Sequence, residues 1–257
     1  MLLAIDVGNT ETKLGCFSPE GELRRTWRVA TDVRRTADEY GVIFSALLSL
    51  AHLDRQAIRC VAIASVVPKL DPVLADACVE LVGVAPYFLR ADEQQIIEVQ
   101  TERPEEVGAD LIAAAIGART RYGAPLIVVS YGTATVFMAI SPAGAYVGVA
   151  IAPGIGVSLD ALVGQTAKLP QIALERPERA LGRTTVEALQ AGIVYGFVGQ
   201  TEALVARFRQ ELGVAAPVVA TGGLAQLVGR QTDLFASVDP HLGLEGLRQA
   251  FIRHGNP

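Results

Sequence analysis

Cysteine, histidine and lysine are scarce, since the 257-residue sequence contains only three of each. Cys16, Cys60 and Cys78 are odd in number and lack the spacing of a metal site, and the histidines are dispersed along the chain. This pattern argues against a disulfide framework and against a zinc centre. We therefore expect buried thiols and a protein that works in the reducing environment of the cytoplasm.

Positive charge is also in short supply. The sequence has 22 lysines and arginines against 27 acidic residues, which gives a net charge of −5 at pH 7. An acidic balance argues against a general nucleic-acid-binding surface, so we expect no nucleic-acid partner. Because 51% of the residues are hydrophobic and only 19% are charged, the chain can bury a substantial core. Its length fits one large domain or two of ordinary size.

No charged residue occurs between Tyr122 and Leu159. A segment of this length could span a bilayer. Prolines and glycines interrupt it repeatedly, however, and divide it into short strands. We therefore expect buried core strands and no membrane span. The first residues also lack the basic segment of a signal peptide, so none is expected.

The opening residues combine an apolar strand, a carboxylate and a glycine turn. Residues 2–7 contain Asp6, the turn is Gly8-Asn9-Thr10, and a second strand is predicted over 13–18. Glycine lets the backbone approach a phosphate, N–H groups and hydroxyls bind its oxygens, and a carboxylate can face Mg²⁺. An ordinary hairpin, in which aspartate and asparagine simply favour the turn, explains this stretch alone equally well.

Two later segments repeat this strand-and-glycine pattern. Gly132-Thr133 separates two apolar strands within residues 126–140, and Gly222-Gly223 follows a strand and precedes a helix. The actin-like ATPases and sugar kinases arrange their phosphate and adenosine elements in this order. We therefore predict an α/β fold of two related actin-like (ribonuclease H-like) halves with a nucleotide cleft between them. The predicted domains are residues 1–115 and 116–257.

Other elements are predicted from periodicity and turn residues. We expect a third strand over residues 23–29, helices over 36–51 and 71–82, and strands over 60–67 and 86–90. An alanine-rich helix follows Gly108-Ala109, so that Asp110 lies in or just before its first turn. An aspartate there commonly favours the helix macrodipole as a cap, and the alternative is a catalytic general base.

Taken together, the motifs resemble the type III pantothenate kinases over nearly the full length. They include Asp-Val-Gly-Asn-Thr at 6–10 and Gly-Ala-Asp at 108–110. The other matching segments are residues 31–40, 65–68, 132–135, 151–158, 167–170, 185–188, 192–196 and 220–224. The resemblance implies ATP-dependent phosphorylation of pantothenate to 4'-phosphopantothenate, the first step of coenzyme A biosynthesis. It further implies a homodimer, with Mg²⁺ and a monovalent cation, K⁺ or NH₄⁺, as cofactors.

The resemblance also implies a role for individual residues. Asp6 would bind Mg²⁺ and lie by the γ-phosphate, and Asp110 would accept the proton of the pantothenate hydroxyl. The ATP-binding residues would be Asp6, Val7, Gly8, Asn9, Thr10, Glu11, Thr12, Lys13, Gly132, Thr133, Gly222 and Gly223. The substrate-binding residues would be Gly108, Ala109, Asp110, Leu111 and Thr185. Phosphoryl transfer needs little beyond positioning, charge neutralisation and a base, which this set would supply.

Several positions depart from the family pattern. Ser130 and Met138 stand where the family has aspartates, the first of them the monovalent-cation position. Leu111 replaces an arginine, and Thr101 and Arg103 replace a tyrosine and an asparagine of the substrate loop. A serine hydroxyl coordinates K⁺ weakly and cannot neutralise it, so the sequence predicts weak dependence on K⁺.

Two functions therefore stay open. The first is a working pantothenate kinase with altered cation dependence. The second is a catalytically degenerate relative that binds nucleotide as a regulatory or partner protein, since a site without catalytic demand loses costly buried charges first. The persistence of Asp6, Asp110, Thr133 and Thr185 favours the kinase. A kinase acting on a sugar-like substrate is a third and weaker alternative.

Overall fold

The structure is a computed structural model that describes residues 1–254 and forms two compact units. The first unit contains Met1–Thr120 and the segment from Leu242 onward, and the second contains Arg121–His241. The sequence instead places the domain boundary after residue 115 and the last helix in the second half. The units divide later, between Thr120 and Arg121, near the end of the helix that covers Ala109–Tyr122. The last helix belongs to the first unit because its leucines are buried there.

A five-stranded mixed sheet forms the centre of the first unit. Its strands are β1 (Leu2–Val7), β2 (Glu11–Phe17), β3 (Leu23–Ala30), β4 (Cys60–Ser65) and β5 (Tyr87–Phe88). The spatial order is β3-β2-β1-β4-β5, with the first three antiparallel and β4 parallel to β1. Strands β1 and β4 are almost wholly buried, whereas the edge strand β3 is largely exposed. The continuous apolar runs of β1 and β4 are what a two-sided core position requires.

Among the described residues, four α-helices lie wholly or mostly in the first unit. They are α1 (Ala37–Leu50), α2 (Asp71–Val82), α3 (Ala109–Tyr122) and α7 (Leu242–Arg253). A capping box starts α1, in which the Glu39 N–H donates to Thr36 Oγ1 and the Thr36 N–H donates to Glu39 Oε2. Gly83, at a φ of 74°, ends α2 in the left-handed conformation that glycine favours. The observed helix α2 therefore begins and ends at the residues predicted from the sequence.

A second five-stranded sheet repeats this topology in the other unit. Its strands are β6 (Leu126–Tyr131), β7 (Ala134–Ile140), β8 (Tyr146–Pro153), β9 (Val218–Thr221) and β10 (Ser237–Val238). The helices are α4 (Ile155–Gly164), α5 (Thr185–Leu212) and α6 (Ala225–Gly229). Strand β6 pairs antiparallel with β7 and parallel with β9, as β1 pairs with β2 and β4. This repeat confirms the predicted α/β fold of two related halves.

The charge-free segment forms β6, β7 and β8 and enters α4. Strands β6 and β7 are buried, as predicted. The prediction was wrong for β8, where Val149 is 38% exposed and Ile151 67% exposed. Alternate residues of β8, the edge strand of its sheet, are exposed, so one face of this strand is uncovered. Within residues 1–254, none of the helices combines the length and apolar character needed to cross a bilayer.

Candidate active site

The β1–β2 turn is held by a threonine from the end of β3. The Gly8 N–H donates to the Glu11 carbonyl at 3.1 Å, and the Thr31 N–H donates to the Thr10 carbonyl at 3.0 Å. The Thr31 hydroxyl donates to the Gly8 carbonyl at 2.8 Å. A Cβ at position 8 would lie only 3.0 Å from the Glu11 carbonyl oxygen, so the turn can close this tightly with glycine. The result is a narrow loop whose backbone can approach a phosphate.

Asp6 and Lys13 face each other across β1 and β2, where they are register partners. The Asp6 side chain is only 14% exposed, and burial raises its pKa to about 6. The Lys13 ammonium, 3.9 Å from Asp6 Oδ2, opposes this rise in pKa. The negative charges of Asp110 and Glu11 add to it. A largely buried carboxylate whose ammonium partner lies 3.9 Å away is suited to a further cation.

Asp110 lies in the first turn of α3. Burial raises the pKa of its carboxyl, while the Leu111 N–H, which donates to Asp110 Oδ1 at 2.8 Å, and the charge of Lys13 lower it. One carboxylate oxygen is thus fixed by the backbone. The two aspartates and Lys13 are close enough for their charges to influence one another. The first unit therefore brings together three of the predicted site residues that are distant in sequence.

The absence of a side chain at Gly108 allows the Asp110 carboxylate to occupy its position. A Cβ at position 108 would lie 2.6 Å from Asp110 Oδ1 and 3.3 Å from Val66 Cγ1. Val66 is itself anchored to the core strand, because its N–H donates to the Val7 carbonyl at 3.1 Å. A side chain at position 108 would therefore push the carboxylate out of place, which explains a glycine directly before this helix.

In the second unit, the Gly132-Thr133 turn is packed against two other glycines. The Gly154 N–H donates to the Thr133 carbonyl at 3.0 Å, and a Cβ at position 154 would lie 2.7 Å from the Thr133 carbonyl carbon. Gly222 has a φ of +94°, and a Cβ there would lie 2.6 Å from the carbonyl carbon of Tyr131. The Gly132-Thr133 and Gly222-Gly223 turns are therefore neighbours, joined through the end of β6.

Two departures from the family pattern, Met138 and Ser130, lie on neighbouring strands of the second sheet. Met138 is fully buried in β7, where it pairs with Val128. Ser130 lies on β6 between Val136 of β7 and Thr221 of β9. A buried thioether has none of the desolvation cost of a buried carboxylate, so the core is stable with no charge at this position.

Thr185, predicted to bind substrate, begins α5 directly after the capping residue Thr184, whose hydroxyl accepts from the Glu187 N–H at 3.2 Å. It lies in the second unit with Ser130, Gly132, Thr133, Gly222 and Gly223. Residues 6–13 and 108–111 lie in the first. Thr101 also lies there, and its buried hydroxyl oxygen has no hydrogen-bond partner among the described residues. Each unit thus assembles its own part of the predicted site.

Four residues that shape these turns were not predicted as site residues. Thr31, Val66 and Gly154 lie within segments that resemble the family, so the signal was present but carried no assigned role. Gly243 was not recognised at all, although a Cβ there would lie 3.3 Å from Asp6 Oδ2. The described part of the chain contains no group of three or more histidine, cysteine or acidic side chains placed to hold a metal on their own.

Three comparisons place the chain among known proteins. The model of the type III pantothenate kinase family matches residues 2–207. The type III pantothenate kinase of Moorella thermoacetica is 48% identical over 99% of this chain and 100% of its own length. Among solved structures, a Campylobacter jejuni protein assigned to the Baf family of transcriptional activators has a TM-score of 0.62 and 18% identity, covering 99% of this chain and 100% of that one.

A second solved structure, a protein from Sinorhizobium meliloti assigned as a 2-dehydro-3-deoxygalactonokinase, has a TM-score of 0.59 and 15% identity, covering 100% of this chain and 97% of that one. Because their sequence identity is only 18% and 15%, both structural neighbours support the fold alone. Membership follows instead from the family match and from the 48% identity over nearly the entire chain. The resemblance recognised from the sequence is confirmed, and this chain belongs to the type III pantothenate kinase family.

Proposed function

We propose that the protein transfers the γ-phosphoryl group of ATP to the hydroxyl of pantothenate. The product, 4'-phosphopantothenate, is the first intermediate of coenzyme A biosynthesis. The observation that carries the proposal is the grouping of Asp6, Lys13 and Asp110 beside a glycine turn in one compact unit. Two largely buried carboxylates raise each other's free energy, an arrangement that function rather than stability explains.

Asp110 is the general base in this proposal. The Leu111 N–H holds Oδ1, which leaves Oδ2 to accept the proton of the attacking hydroxyl. Burial raises the pKa of Asp110 above the ordinary aspartate value, which makes its carboxylate a stronger base. Gly108, Ala109, Leu111 and Thr185 are the proposed contacts to pantothenate.

Asp6 is the proposed Mg²⁺ ligand. Its carboxylate fits this role because it is largely buried and has a raised pKa, with Lys13 only at 3.9 Å. Mg²⁺ is commonly bound in kinases by one or two carboxylates together with water and substrate phosphates, so one protein ligand suffices. When bound, the ion neutralises phosphate charge. Lys13 adds positive charge on the same side, and residues 7–11 are the proposed contacts of the turn to the phosphates. The Thr12 hydroxyl is fully buried and hydrogen-bonded to Thr31 Oγ1 at 2.8 Å, so it supports the turn from behind.

The second unit supplies the remaining nucleotide contacts in this proposal. Gly132 and Thr133 bind phosphate, and Gly222 and Gly223 present a flat backbone surface to the adenosine. The tight packing of Gly154 and Gly222 on the turn supports this assignment, because it fixes backbone N–H groups without side chains in the way. The hydroxyl oxygen of Thr135, buried beside the turn, has no hydrogen-bond partner among the described residues.

The experiment that tests the function is a kinase assay with ATP, Mg²⁺ and pantothenate in K⁺ or NH₄⁺ buffer. We expect ADP release that depends on pantothenate, together with the phosphorylated product by mass spectrometry. A reaction without pantothenate is the control for ATP hydrolysis. Nucleotide binding without product would instead support a degenerate regulatory relative, and product with a sugar in place of pantothenate would support the third alternative.

We also propose that the activity depends only weakly on a monovalent cation. The family implies K⁺ or NH₄⁺, but Ser130 and Met138 leave both usual carboxylate positions neutral here. We therefore expect replacement of Na⁺ by K⁺ to change the rate less than about twofold, because a lone hydroxyl contributes little to cation binding. The variant Ser130→Asp should increase the K⁺ stimulation of kcat/KM. A strong K⁺ stimulation of the wild-type enzyme would contradict this prediction.

We further propose a homodimer formed through the exposed apolar side chains of β8 and α4. Val149 and Ile151 on the strand and Val157 and Leu162 on the helix are 38–67% exposed. An uncovered edge strand with apolar side chains is typical of a surface that a second copy covers. The family resemblance implies a dimer, and these exposed apolar residues are a suitable surface for it.

Replacing Ile151 by Asp is expected to convert the dimer to a monomer, because a carboxylate would be buried without a partner. Light scattering after size-exclusion chromatography measures the mass directly. Val42→Asp is the matched control, since Val42 is 69% exposed, against 67% for Ile151, and lies on α1 in the other unit. A variant that stays dimeric, or a monomeric wild type, would contradict the proposed interface.

The cytoplasm is the proposed location. Cys16, Cys60 and Cys78 are all free thiols, and Cys16 and Cys78 are buried. Burial raises the pKa of the Cys16 thiol and raises that of Cys78 to about 12, so both remain protonated and unreactive. Unpaired, inert thiols suit a reducing compartment.

A further inference from the structure

The C-terminal helix α7 lies beyond the residues that the family model matches. The match ends at residue 207, whereas α7 covers Leu242–Arg253. The helix packs against β1, β2 and β4 of the first unit, and Leu242, Leu244 and Leu247 are buried in that contact. The helix therefore packs directly on the strand that carries Asp6.

Gly243, the second residue of α7, brings the helix backbone directly to the Asp6 carboxylate. A Cβ at position 243 would lie 3.3 Å from Asp6 Oδ2 and 3.9 Å from its Cγ. The first-turn N–H groups of a helix have no partner within the helix and carry partial positive charge. The missing side chain thus lets the positive end of α7 lie against the carboxylate without displacing it.

Gly246 lies one helical turn further on the same face of α7. A Cβ there would overlap the Ala113 carbonyl oxygen and lie 2.7 Å from the Gly117 nitrogen. In return, a Cβ at position 117 would lie 2.9 Å from the Gly246 nitrogen. The backbones of α7 and α3 are therefore in direct contact, and α3 is the helix that carries Asp110 in its first turn.

We propose that α7 is a positioning element for both site carboxylates. Gly243 sets the position of Asp6, and the contact between Gly246 and Gly117 fixes the helix that carries Asp110. The proposal rests on the proposed kinase function for the meaning of these carboxylates. The placement of α7 against them is independent of the substrate.

Replacing Gly243 by Ala tests the contact with Asp6. The added methyl group would force the carboxylate to move by a few tenths of an ångström, and we expect Mg²⁺-dependent binding of a non-hydrolysable ATP analogue to weaken about tenfold. Binding of the same analogue in EDTA should not change. Calorimetry measures both affinities without any turnover. If Gly243 had only a structural role, the substitution would change the affinity equally in Mg²⁺ and in EDTA.

Gly41→Ala is the matched control, because Gly41 is also a helical glycine of the first unit and a methyl group added there would meet no other atom within 4 Å. We expect its Mg²⁺-dependent affinity to equal that of the wild type. Equal affinities for Gly243→Ala and Gly41→Ala would overturn the proposal. Loss of binding in both Mg²⁺ and EDTA would overturn it as well, since the effect would then not act through Asp6.

A measurement on the wild type tests the same contact without any substitution. Binding of the analogue with Mg²⁺ should slow amide hydrogen exchange in residues 242–246 more than binding in EDTA does. Equal exchange in the two conditions would overturn the positioning role. Failure of the kinase proposal is distinguishable, because it would appear as missing product while the Mg²⁺-dependent protection of α7 persists.

Discussion

Replacing Asp110 by Asn is expected to lower pantothenate phosphorylation by about 10²–10⁴-fold, the usual contribution of a general base. The amide has the same shape, and its oxygen can still accept from the Leu111 N–H, which now reaches Asp110 Oδ1 at 2.8 Å. It cannot accept a proton from the substrate hydroxyl. Steady-state turnover measures the loss, and calorimetry should show unchanged ATP affinity.

Asp76→Asn is the control for this experiment. Asp76 lies exposed on α2 in the same unit, so its replacement removes the same charge at the surface and on a different helix from Asp110. We expect wild-type turnover. Near-normal activity of Asp110→Asn would mean that the hydroxyl proton leaves by another route, for example directly to the phosphoryl group, and that Asp110 is a cap of α3.

Replacing Asp6 by Asn is expected to abolish turnover and, in metal-free buffer, to raise the thermal unfolding temperature. Burial raises the pKa of Asp6 from 3.8 to about 6. Between those two pH values the folded state keeps a proton that the unfolded chain has released, so stability falls as the pH rises. A shift of this size corresponds to at most about 3 kcal/mol at neutral pH, which the neutral amide would recover.

Unfolding temperatures of both proteins across pH 4–8 in EDTA test this prediction. The curves should converge near pH 4 and separate as the pH rises to about 6, with the variant more stable. Mg²⁺ with an ATP analogue should stabilise the wild type and not the variant, because ligand binding to the folded state adds stability. A variant less stable than the wild type at pH 8 would show that Asp6 supports the fold rather than the site.

The local features of the fold could be predicted because they depend on short patterns. The apolar runs on either side of Gly8 and Gly132 predicted both hairpins, and the helix over 71–82 was correct in its bounds. Predictions failed where tertiary contacts decide. Strand β8 has an apolar sequence yet lies at a sheet edge, and the 86–90 strand is reduced to Tyr87–Phe88 at the edge of the other sheet.

The candidate site shows the same limit. Asp6 and Asp110 were predicted because each lies beside glycines in a recognisable motif. Gly243 lies against Asp6 yet is separated from it by most of the chain, and a glycine in a C-terminal helix has no local pattern that signals a neighbouring carboxylate. Such a contact follows only from the packing of α7 on the first sheet.

The insertion of the second unit between Thr120 and Leu242 has a consequence for synthesis on the ribosome. Tyr122 donates to Asp239 at 3.2 Å, so the two ends of residues 121–241 meet and this unit can close on itself. The first sheet, in contrast, must wait for α7, which is made only after the second unit. At about 5–20 residues per second that interval is roughly 6–25 s, during which the apolar surface under α7 is open to chaperones.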